Sequence, residues 1–288
     1  MGIKREIRNY YNKYKRKRKI KKAKENPVTR EVLYDSLSAV GLKCGEAVML
    51  HSSLSGLGYV QNGPDTVINA FTDMLGKSGA LLAPAYPVND WSLDSIRNLQ
   101  LLKKGTPTSL GIIPNKLILR QESERSLHPT HSWVGIGGEI LEYLLKDHHL
   151  SVTPCGEKSP FDRILEVNGW VICLGCAWGR CTFWHVIEDR SVFPIEVYYP
   201  DLFYGGVQTK NGSIKKVAFK FHEPSLVPYR IDMNPNHESG IYERFKKYGV
   251  IREVGCGDGK MIAIKAKDFL KGQFLLLDEG ITIYEGRP

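Results

Sequence analysis

The alternation of short apolar runs with amphipathic segments, along residues 28–277, constrains the fold of this chain more than any other feature. The runs at 46–50 and 169–175 have the length and apolar content of buried strands. Residues 64–75 instead repeat apolar side chains at helical spacing, at Val67, Ile68, Phe71 and Leu75. Strands that alternate with helices predict an α/β or α+β protein built around one central sheet.

Further elements follow from the same patterns. Thr29 is placed to cap a helix over 28–40 that Gly41 ends, because a threonine oxygen accepts a hydrogen bond from the first helical turn. Helices are also predicted at 139–147 and from 183 to 190. Additional strands are predicted at 80–83, 195–199, 215–221 and 261–266.

The net charge of +9 is concentrated at the N-terminus. Residues 1–25 contain twelve Lys or Arg and two Glu, which leaves 28 basic and 29 acidic residues in the rest of the chain. The sequence therefore divides into a basic arm, 1–26, and a near-neutral domain, 27–288. The arm is compatible with a solvated tail, with contact to an anionic membrane surface, or with nucleic-acid binding. Nucleic-acid binding is disfavoured because no recognition module adjoins the arm.

Composition also predicts the compartment. The sequence lacks a run of 18 apolar residues and an apolar signal-peptide core, so neither a membrane span nor secretion is expected. Six cysteines are too sparse for a disulfide framework. We therefore expect a cytoplasmic protein with reduced thiols, to which the basic arm could add peripheral contact with the inner membrane.

Four segments concentrate polar residues typical of binding and catalytic sites: His51–Gly58, Arg125–Ser132, Cys155–Asp162 and Cys181–Glu188. The first follows a strand, where amides and hydroxyls can hold phosphate or a thioester carbonyl. The second has two histidines, an arginine and two serines within eight residues. The third leads into a helix, whose N-terminus attracts phosphate. The first segment could instead be only a structural turn, and the second only a hydrogen-bonded loop. The third could be only a helix cap.

The fourth segment places His185 and Glu188 three residues apart, on one face of a helix. A carboxylate beside an imidazole fixes its tautomer and favours the protonated form that proton abstraction produces. A surface ion pair is the structural alternative. The pair Cys173 and Cys176 is disfavoured as a metal site, because it adjoins an apolar strand without a second pair, and no metal is predicted.

Five motifs, in this order, resemble those of the aminoglycoside 3-N-acetyltransferases, the antibiotic N-acetyltransferase family. They are HSSLSGLG, TPTSLG, RSLHPTHS, GEKSPFDRIL and CTFWHVIE, and the resemblance extends from about Thr29 to Lys271. It implies a layered α/β/α fold around a central mixed sheet, distinct from the GNAT fold. It also implies an acyl-CoA donor and an acceptor amine on a sugar ring.

The resemblance further implies roles for individual residues. The first loop would line the pantetheine and pyrophosphate of coenzyme A through His51, Ser52 and Ser53. Contacts to the thioester and the donor phosphates would come from Arg125, Ser126, His128 and Ser132, with Ser159 in the following turn. The motif TxxHxxE would supply the catalytic residues Thr182, His185 and Glu188.

Acyl-transfer chemistry predicts direct attack in a ternary complex. His185 would take a proton from the amine, Glu188 would orient His185, and the oxyanion would be stabilised by the Thr182 hydroxyl or by amides of the Ser52–Ser53 loop. The rival is a covalent route through Cys181, four residues before His185.

Charge bears on the acceptor. Aminoglycosides are polycations, whereas the domain is near neutral and the arm is basic. The expected acceptor is therefore a nucleotide-linked amino sugar of a surface-polysaccharide pathway. An aminoglycoside is the alternative acceptor. The stretch 89–104, which departs from the family, is expected to bear on acceptor choice. A non-catalytic protein that binds membrane or nucleic acid is the second alternative. The oligomeric state is left open, including a homo-oligomer.

Overall fold

The computed structural model describes residues 24–230 and 235–284. Most of the predicted basic arm, residues 1–23, lies outside the described residues. Nine strands lie in the described part of the chain: β1 Ala47–Ser52, β2 Ala80–Pro84, β3 Glu124–Arg125, β4 Trp133–Gly137, β5 Trp170–Leu174, β6 Phe203–Gln208, β7 Ile214–Phe219, β8 Arg252–Cys256 and β9 Gly259–Lys265.

These described residues also form eight α-helices: α1 Arg30–Ala39, α2 Pro64–Leu75, α3 Leu93–Arg97, α4 Ile112–Ile118, α5 Glu139–Leu145, α6 Pro160–Glu166, α7 Pro235–Lys247 and α8 Ala266–Asp278. Five 3₁₀ segments accompany them, at Leu54–Leu57, His148–Leu150, Trp178–Arg180, Thr182–Asp189 and Pro224–Tyr229.

Seven of the described strands form one mixed sheet in the order β3-β4-β2-β1-β5-β9-β8. Strand β1 pairs in parallel with β2 and with β5, and the other pairings of this sheet are antiparallel. The remaining two strands, β6 and β7, form a separate antiparallel ribbon.

Both faces of the sheet are covered by helices. Successive side chains of β1 alternate between two apolar cores, with Val48 in one and Met49 in the other. The first core includes Leu37 of α1 and Phe71 of α2, and the second includes Phe161 of α6 and Phe269 of α8. This arrangement confirms the expected layered α/β/α fold around a central mixed sheet.

The amphipathic patterns located the early elements well. Helix α2 has the predicted bounds, and Thr29 caps α1 by accepting a hydrogen bond from the Val32 amide at 3.4 Å. Two of the late strand predictions correspond to β7 and β9.

Three predictions beyond residue 180 were wrong or incomplete. The stretch 195–199 is not a strand, since only Tyr198 forms an isolated bridge, to His222. Helices α7 and α8, at 235–247 and 266–278, were not predicted, because only strands were assigned in this part of the chain. The helix expected from 183 is a 3₁₀ segment that begins at Thr182. No helix in the described part of the chain has the length and apolar composition needed to cross a bilayer.

Candidate active site

The site lies at the edge of the sheet where the three parallel strands end. His51 is near the end of β1, Tyr86 follows β2, and Gly175 follows β5 directly. In open α/β sheets, ligands bind beyond the carboxyl ends of the strands. The loops after these strands form two adjoining clefts.

The larger cleft has a volume of about 860 Å³ and the smaller one about 340 Å³. The larger cleft is lined mainly by the loop after β1, the residues before α4 and the loop after β5, including Ser52, Ser53, Leu54, Leu110, Ile112 and Cys176. The smaller cleft is lined by aromatic and basic side chains, including Tyr86, Trp91, Phe161, His185, Arg230 and Tyr284. Both clefts share Leu110, Arg180 and Thr182, which therefore mark their junction.

His185 and Glu188 meet because they lie on a 3₁₀ segment. Such a helix has three residues per turn, so side chains three apart lie directly above one another. Nδ1 of His185 is 2.8 Å from Oε1 of Glu188. Gln273 of α8 supports the segment by donating a hydrogen bond to the Trp184 carbonyl at 2.7 Å. The predicted pairing of His185 with Glu188 is present, and it is buried rather than on the surface.

The Glu188 carboxylate is the acceptor for three donors. His222 donates from Nε2 to Oε2 at 2.6 Å, and the Tyr284 hydroxyl donates to Oε1 at 2.9 Å, in addition to His185. Burial alone would raise the pKa of Glu188, but the adjacent His185 and His222 outweigh it and hold that pKa well below its usual range. Glu188 is therefore an ionised carboxylate that is satisfied by protein donors.

This network leaves Nε2 of His185 as its free basic nitrogen. Because Nδ1 donates to Glu188, the neutral imidazole carries its lone pair on Nε2. Burial is the largest influence and lowers the pKa of His185, while Glu188 acts in the opposite direction and Arg230 adds to the lowering. His185 also lines the smaller cleft, so a neutral base faces that cleft at neutral pH.

His51 connects the end of β1 to the start of the 3₁₀ segment. The Thr182 amide donates to Nε2 of His51 at 3.1 Å, so the proton of this imidazole is on Nδ1. The Thr182 hydroxyl lies 2.8 Å from the same Nε2 and must be the donor there, while its oxygen accepts from Tyr86 at 3.3 Å. Thr182 would donate to an oxyanion only after its hydroxyl turns away from His51. Burial lowers the pKa of His51 to about 4, which keeps it neutral.

Cys181 lies beside His51. Its sulfur is 3.8 Å from Nδ1 of His51, the nitrogen that carries the proton, so His51 is not placed to deprotonate this thiol. This arrangement gives no support to the covalent route through Cys181.

The loop after β1 has residues that line the larger cleft and a glycine that is required by the packing. Ser52 and Ser53 line the larger cleft, as expected for donor contacts. Gly56 is structural: a Cβ there would lie 1.8 Å from the Gly175 carbonyl oxygen. The Ser53 amide donates to the Leu174 carbonyl at 2.9 Å, so it is not a free oxyanion donor as had been expected.

The side chains expected to contact the donor include Arg125, Ser126, His128 and Ser132. They are buried in internal hydrogen bonds and line neither of the two clefts, so this geometry does not support direct donor contact, which stays a prediction. Arg125 donates to the carbonyls of Ala85, Lys104 and Thr106. It also donates to the Ser132 hydroxyl, and Ser132 in turn donates to Ala85 at 2.8 Å.

The remaining members of this motif are equally internal. The Ser126 hydroxyl accepts from the Trp133 amide and bonds to Nδ1 of His148, both at 2.8 Å. Nδ1 of His128 accepts from the His131 amide at 3.1 Å. The motif therefore holds together the backbone that carries Tyr86 and His131. His131 lines the smaller cleft, although it was not among the predicted site residues.

Ser159 has a structural role. It is fully buried and caps α6, accepting a hydrogen bond from the Asp162 amide at 3.1 Å. Capping explains the geometry of this turn without a ligand, because the side-chain oxygen satisfies an unpaired helical amide.

One group of described residues has the composition of a metal site. The potential ligand atoms of His185, Glu188 and His222 all lie within 4.8 Å of one another. Each histidine directs an N–H at a separate carboxylate oxygen, however, and such hydrogen bonds account for the spacing without an ion.

Fold and site together define an α/β protein with two adjoining clefts, the smaller of which is lined by the histidine of a buried histidine–glutamate pair. The sequence model of the aminoglycoside 3-N-acetyltransferase family matches residues 49–276. The chain therefore belongs to the aminoglycoside 3-N-acetyltransferase family.

Individual relatives agree with this assignment. Aminoglycoside N(3)-acetyltransferase VII of Streptomyces paromomycinus is 33% identical over 188 residues, which cover 60% of this chain and 64% of the relative. The chain thus matches less than two thirds of the length of this relative. The crystal structure of aminoglycoside acetyltransferase AAC(3)-Xa has a TM-score of 0.74 at 24% identity, covering 93% of this chain and 98% of that one. The structure of AAC-IIIb in binary complex with CoASH has a TM-score of 0.71 at 23% identity, covering 90% and 99%.

Proposed function

We propose that the protein is an N-acyltransferase that moves an acyl group from a coenzyme A thioester to an amine of an amino sugar. The observation that carries this proposal is the position of His185, which lines the smaller cleft and bonds to Glu188 through Nδ1, so that Nε2 is its basic nitrogen. Family membership and the complex of AAC-IIIb with CoASH support the donor.

The larger cleft has the composition expected of a pantetheine-binding site. Leu54, Leu110 and Ile112 offer apolar contact to the methylene and dimethyl groups of that arm, and Ser52 and Ser53 offer hydroxyls to its amides. The smaller cleft would hold the acceptor with its amine beside His185. The thioester would then lie at the junction, near Thr182.

His185 acts as the general base in this scheme. Its Nε2 accepts a proton from the amine as the nitrogen attacks the thioester carbonyl. The carbon–sulfur bond then breaks, and the imidazolium returns the proton to the departing sulfur, so that the coenzyme leaves as a thiol and His185 is neutral again. Glu188 holds Nδ1 and stabilises the imidazolium that forms. Base catalysis of this kind contributes about 10²–10⁴-fold.

Release of free thiol from acetyl-CoA, in the presence of a panel of amino sugars and aminoglycosides, tests the proposal. We expect acceptor-dependent thiol release and an acceptor product heavier by one acetyl group. Cys181→Ser should retain the rate if attack is direct. Thiol release that no acceptor accelerates would contradict the assignment, and a stable acyl-enzyme at Cys181 would contradict direct attack.

Two acceptors remain candidates. The names of the relatives favour an aminoglycoside, which would make the protein an antibiotic-resistance enzyme. A nucleotide-linked amino sugar, as used in polysaccharide synthesis, is favoured by the near-neutral domain and by two arginines in the smaller cleft.

We also propose three further features: the arm 1–26 as a separate unit, its contact with an anionic membrane surface from the cytoplasmic side, and self-association. Sedimentation of the full chain with vesicles of phosphatidylserine and phosphatidylcholine tests the second. Binding that persists after residues 2–23 are deleted would contradict it. A non-catalytic role would require thiol release to be unaffected by every acceptor.

A further inference from the structure

The acceptor nitrogen must lose two protons during acyl transfer, not one. Near neutral pH an alkyl amine is mostly an ammonium ion, which has no lone pair with which to attack a carbonyl. One proton must leave before the attack, and a second leaves the nitrogen as the amide forms. In the scheme above, His185 takes one proton and passes it to the departing sulfur. The other proton still needs an acceptor.

His222 is a second imidazole in the same cleft, and it bonds to the same carboxylate. It follows β7 and forms an isolated antiparallel bridge with Tyr198, which holds its backbone in place. Its Nε2 donates to Oε2 of Glu188 at 2.6 Å, whereas Nδ1 of His185 donates to Oε1. The ring centres of the two histidines are 4.2 Å apart, and both residues line the smaller cleft. Two imidazoles therefore share one anion beside the expected place of the acceptor amine.

The hydrogen bond to Glu188 determines which nitrogen of His222 is basic. Glu188 is ionised and can only accept, so the proton of the neutral His222 ring lies on Nε2 and its lone pair on Nδ1. Among the residues that the structure describes, none bonds to this Nδ1, and the atom is not sealed from solvent. It is therefore available to a proton donor in the cleft.

Exposure suits the two histidines to different protons. The His222 side chain is 22% exposed, against 11% for His185. A proton on His222 can therefore pass to solvent, whereas the more enclosed His185 is suited to return its proton to the sulfur. Glu188 supplies one negative charge to both rings, and a protonated His222 opposes protonation of His185. The first proton should consequently reach solvent before His185 takes the second.

Two other titratable groups near this part of the site are poor alternatives to His222. Asp189 does not line the cleft, and it accepts a hydrogen bond from the Tyr198 hydroxyl at 2.8 Å. His131 lines the cleft, but burial and the neighbouring histidines lower its pKa well below the usual value. A base with so low a pKa takes a proton from an ammonium ion inefficiently.

Glu223 and Arg230 are charged residues of the same cleft lining. A carboxylate is a weaker base than an imidazole by about two pKa units, so Glu223 is less suited to take a proton from an ammonium ion. Arg230 cannot accept a proton, and its positive charge lowers the pKa of His185. Besides His185, His222 is the described lining residue that combines a basic nitrogen with a carboxylate partner.

We propose, on the basis of the acyl-transfer function proposed above, that His222 is the proton acceptor that converts the bound ammonium group into the free amine. Nδ1 of His222 takes the first proton and releases it to solvent. The nitrogen then attacks the thioester carbonyl while Nε2 of His185 takes the second proton, which returns to the sulfur when the carbon–sulfur bond breaks. An ammonium ion and a thioester thus give an amide, a thiol and one proton in solvent.

His222→Gln tests this role, because the glutamine amide keeps a donor for Glu188 but has no basic nitrogen. The quantity to measure is kcat/KM for the acceptor of the panel with the highest rate, from pH 7 to above the pKa of its amine, after subtraction of thiol release without acceptor. We expect a nearly flat profile for the wild type, in which the ammonium form reacts. In the variant only the free amine reacts, so kcat/KM should rise by up to about tenfold per pH unit and meet the wild-type value above the pKa of the amine.

His149→Gln is the matched control, since His149 lines neither cleft, and it should keep the wild-type profile. Glu223→Gln should keep the flat shape as well. Three results would overturn the inference: a loss in His222→Gln that is equal at every pH, a rising profile in Glu223→Gln instead, or a wild-type profile that itself rises about tenfold per pH unit. The last result decides the question even if His222→Gln does not fold.

The same measurements separate this inference from the acyl-transfer function. Thiol release that no acceptor accelerates contradicts the function. Acceptor-dependent transfer that requires His185, but whose pH profile has the same shape in the wild type and in His222→Gln, contradicts only the role of His222.

Discussion

Nδ1 of His185 lies 2.8 Å from Oε1 of Glu188, a carboxylate with no exposed side-chain surface. A buried carboxylate of this kind needs partners for both oxygens, and His222 and Tyr284 provide the others. The pair is therefore part of a four-residue network, and its other members influence the base that faces the cleft.

Glu188→Gln should lower kcat and shift the acid limb of the pH profile of kcat/KM to lower pH. Glu188 raises the pKa of His185 against the effect of burial, so its removal should lower that pKa further. Because His185 must be neutral to accept a proton, the acid limb of kcat/KM, expected below pH 6.5 in the wild type, should move to lower pH. A pH profile measures this shift. A limb that moves upward would contradict the assigned hydrogen bond.

Tyr284→Phe should reduce kcat by up to about tenfold, since it removes one neutral donor to Glu188 and preserves the ring. The KM for acetyl-CoA should change little, because Tyr284 lines the smaller cleft only. Steady-state kinetics with both substrates separates the two parameters. Tyr143→Phe on α5, a partly exposed tyrosine outside both clefts, is the matched control. An effect of Tyr284→Phe on KM for acetyl-CoA alone would argue against this role.

The network also shows what the sequence could predict. His185 and Glu188 are three residues apart, so helical spacing alone brought them together. His222 and Tyr284 are 34 and 96 residues from Glu188, and no local pattern indicated that they would meet it. His222 follows β7 and Tyr284 follows α8, so only the tertiary fold brings them to Glu188. The strand–helix order similarly predicted the layers of the fold but not the antiparallel pairings of β4, β8 and β9.

A cluster of polar residues in a sequence can reflect internal hydrogen bonding rather than ligand binding. Arg125, Ser126 and Ser132 looked like ligand contacts because they cluster in sequence. A buried loop needs the same residue types to satisfy its own backbone, and these side chains bond to carbonyls and amides of neighbouring segments. The sequence alone does not distinguish ligand contact from internal hydrogen bonding.

Arg125→Ala should consequently destabilise the fold. It would leave the carbonyls of Lys104 and Thr106 without this donor and remove one of two donors to the Ala85 carbonyl, at a cost of about 3 kcal/mol. Thermal unfolding should show a lowered Tm, and the surviving folded fraction should keep its KM for acetyl-CoA. A raised KM with an unchanged Tm would instead support the original expectation of donor contact.

The fold should lose stability in mild acid because it buries neutral histidines. Burial lowers the pKa of His51 to about 4 and that of His128 to about 3, and it lowers those of His131 and His148 well below the usual value. In each case the folded pKa is below the unfolded value of 6.5, so the unfolded state binds more protons as pH falls through 6.5. Each such histidine costs up to about 1.4 kcal/mol per pH unit below that point.

Thermal unfolding between pH 7.5 and pH 5 measures this loss. We expect Tm to be nearly constant above pH 7 and to fall steadily below 6.5. His148→Gln should reduce the slope of this fall, because it removes one of the four buried groups. A Tm that rises on acidification through this range would contradict the buried neutral state of the histidines.

The most direct test of the account is kcat of His185→Asn at pH 7.5, measured by thiol release from acetyl-CoA with the best acceptor found. The account predicts a fall of about 10²–10⁴-fold, since the variant retains a polar side chain but has no basic nitrogen. The folded fraction and the KM for acetyl-CoA should remain near those of the wild type. A His185→Asn protein that turns over at the wild-type rate at this pH would contradict the role of His185 as the base.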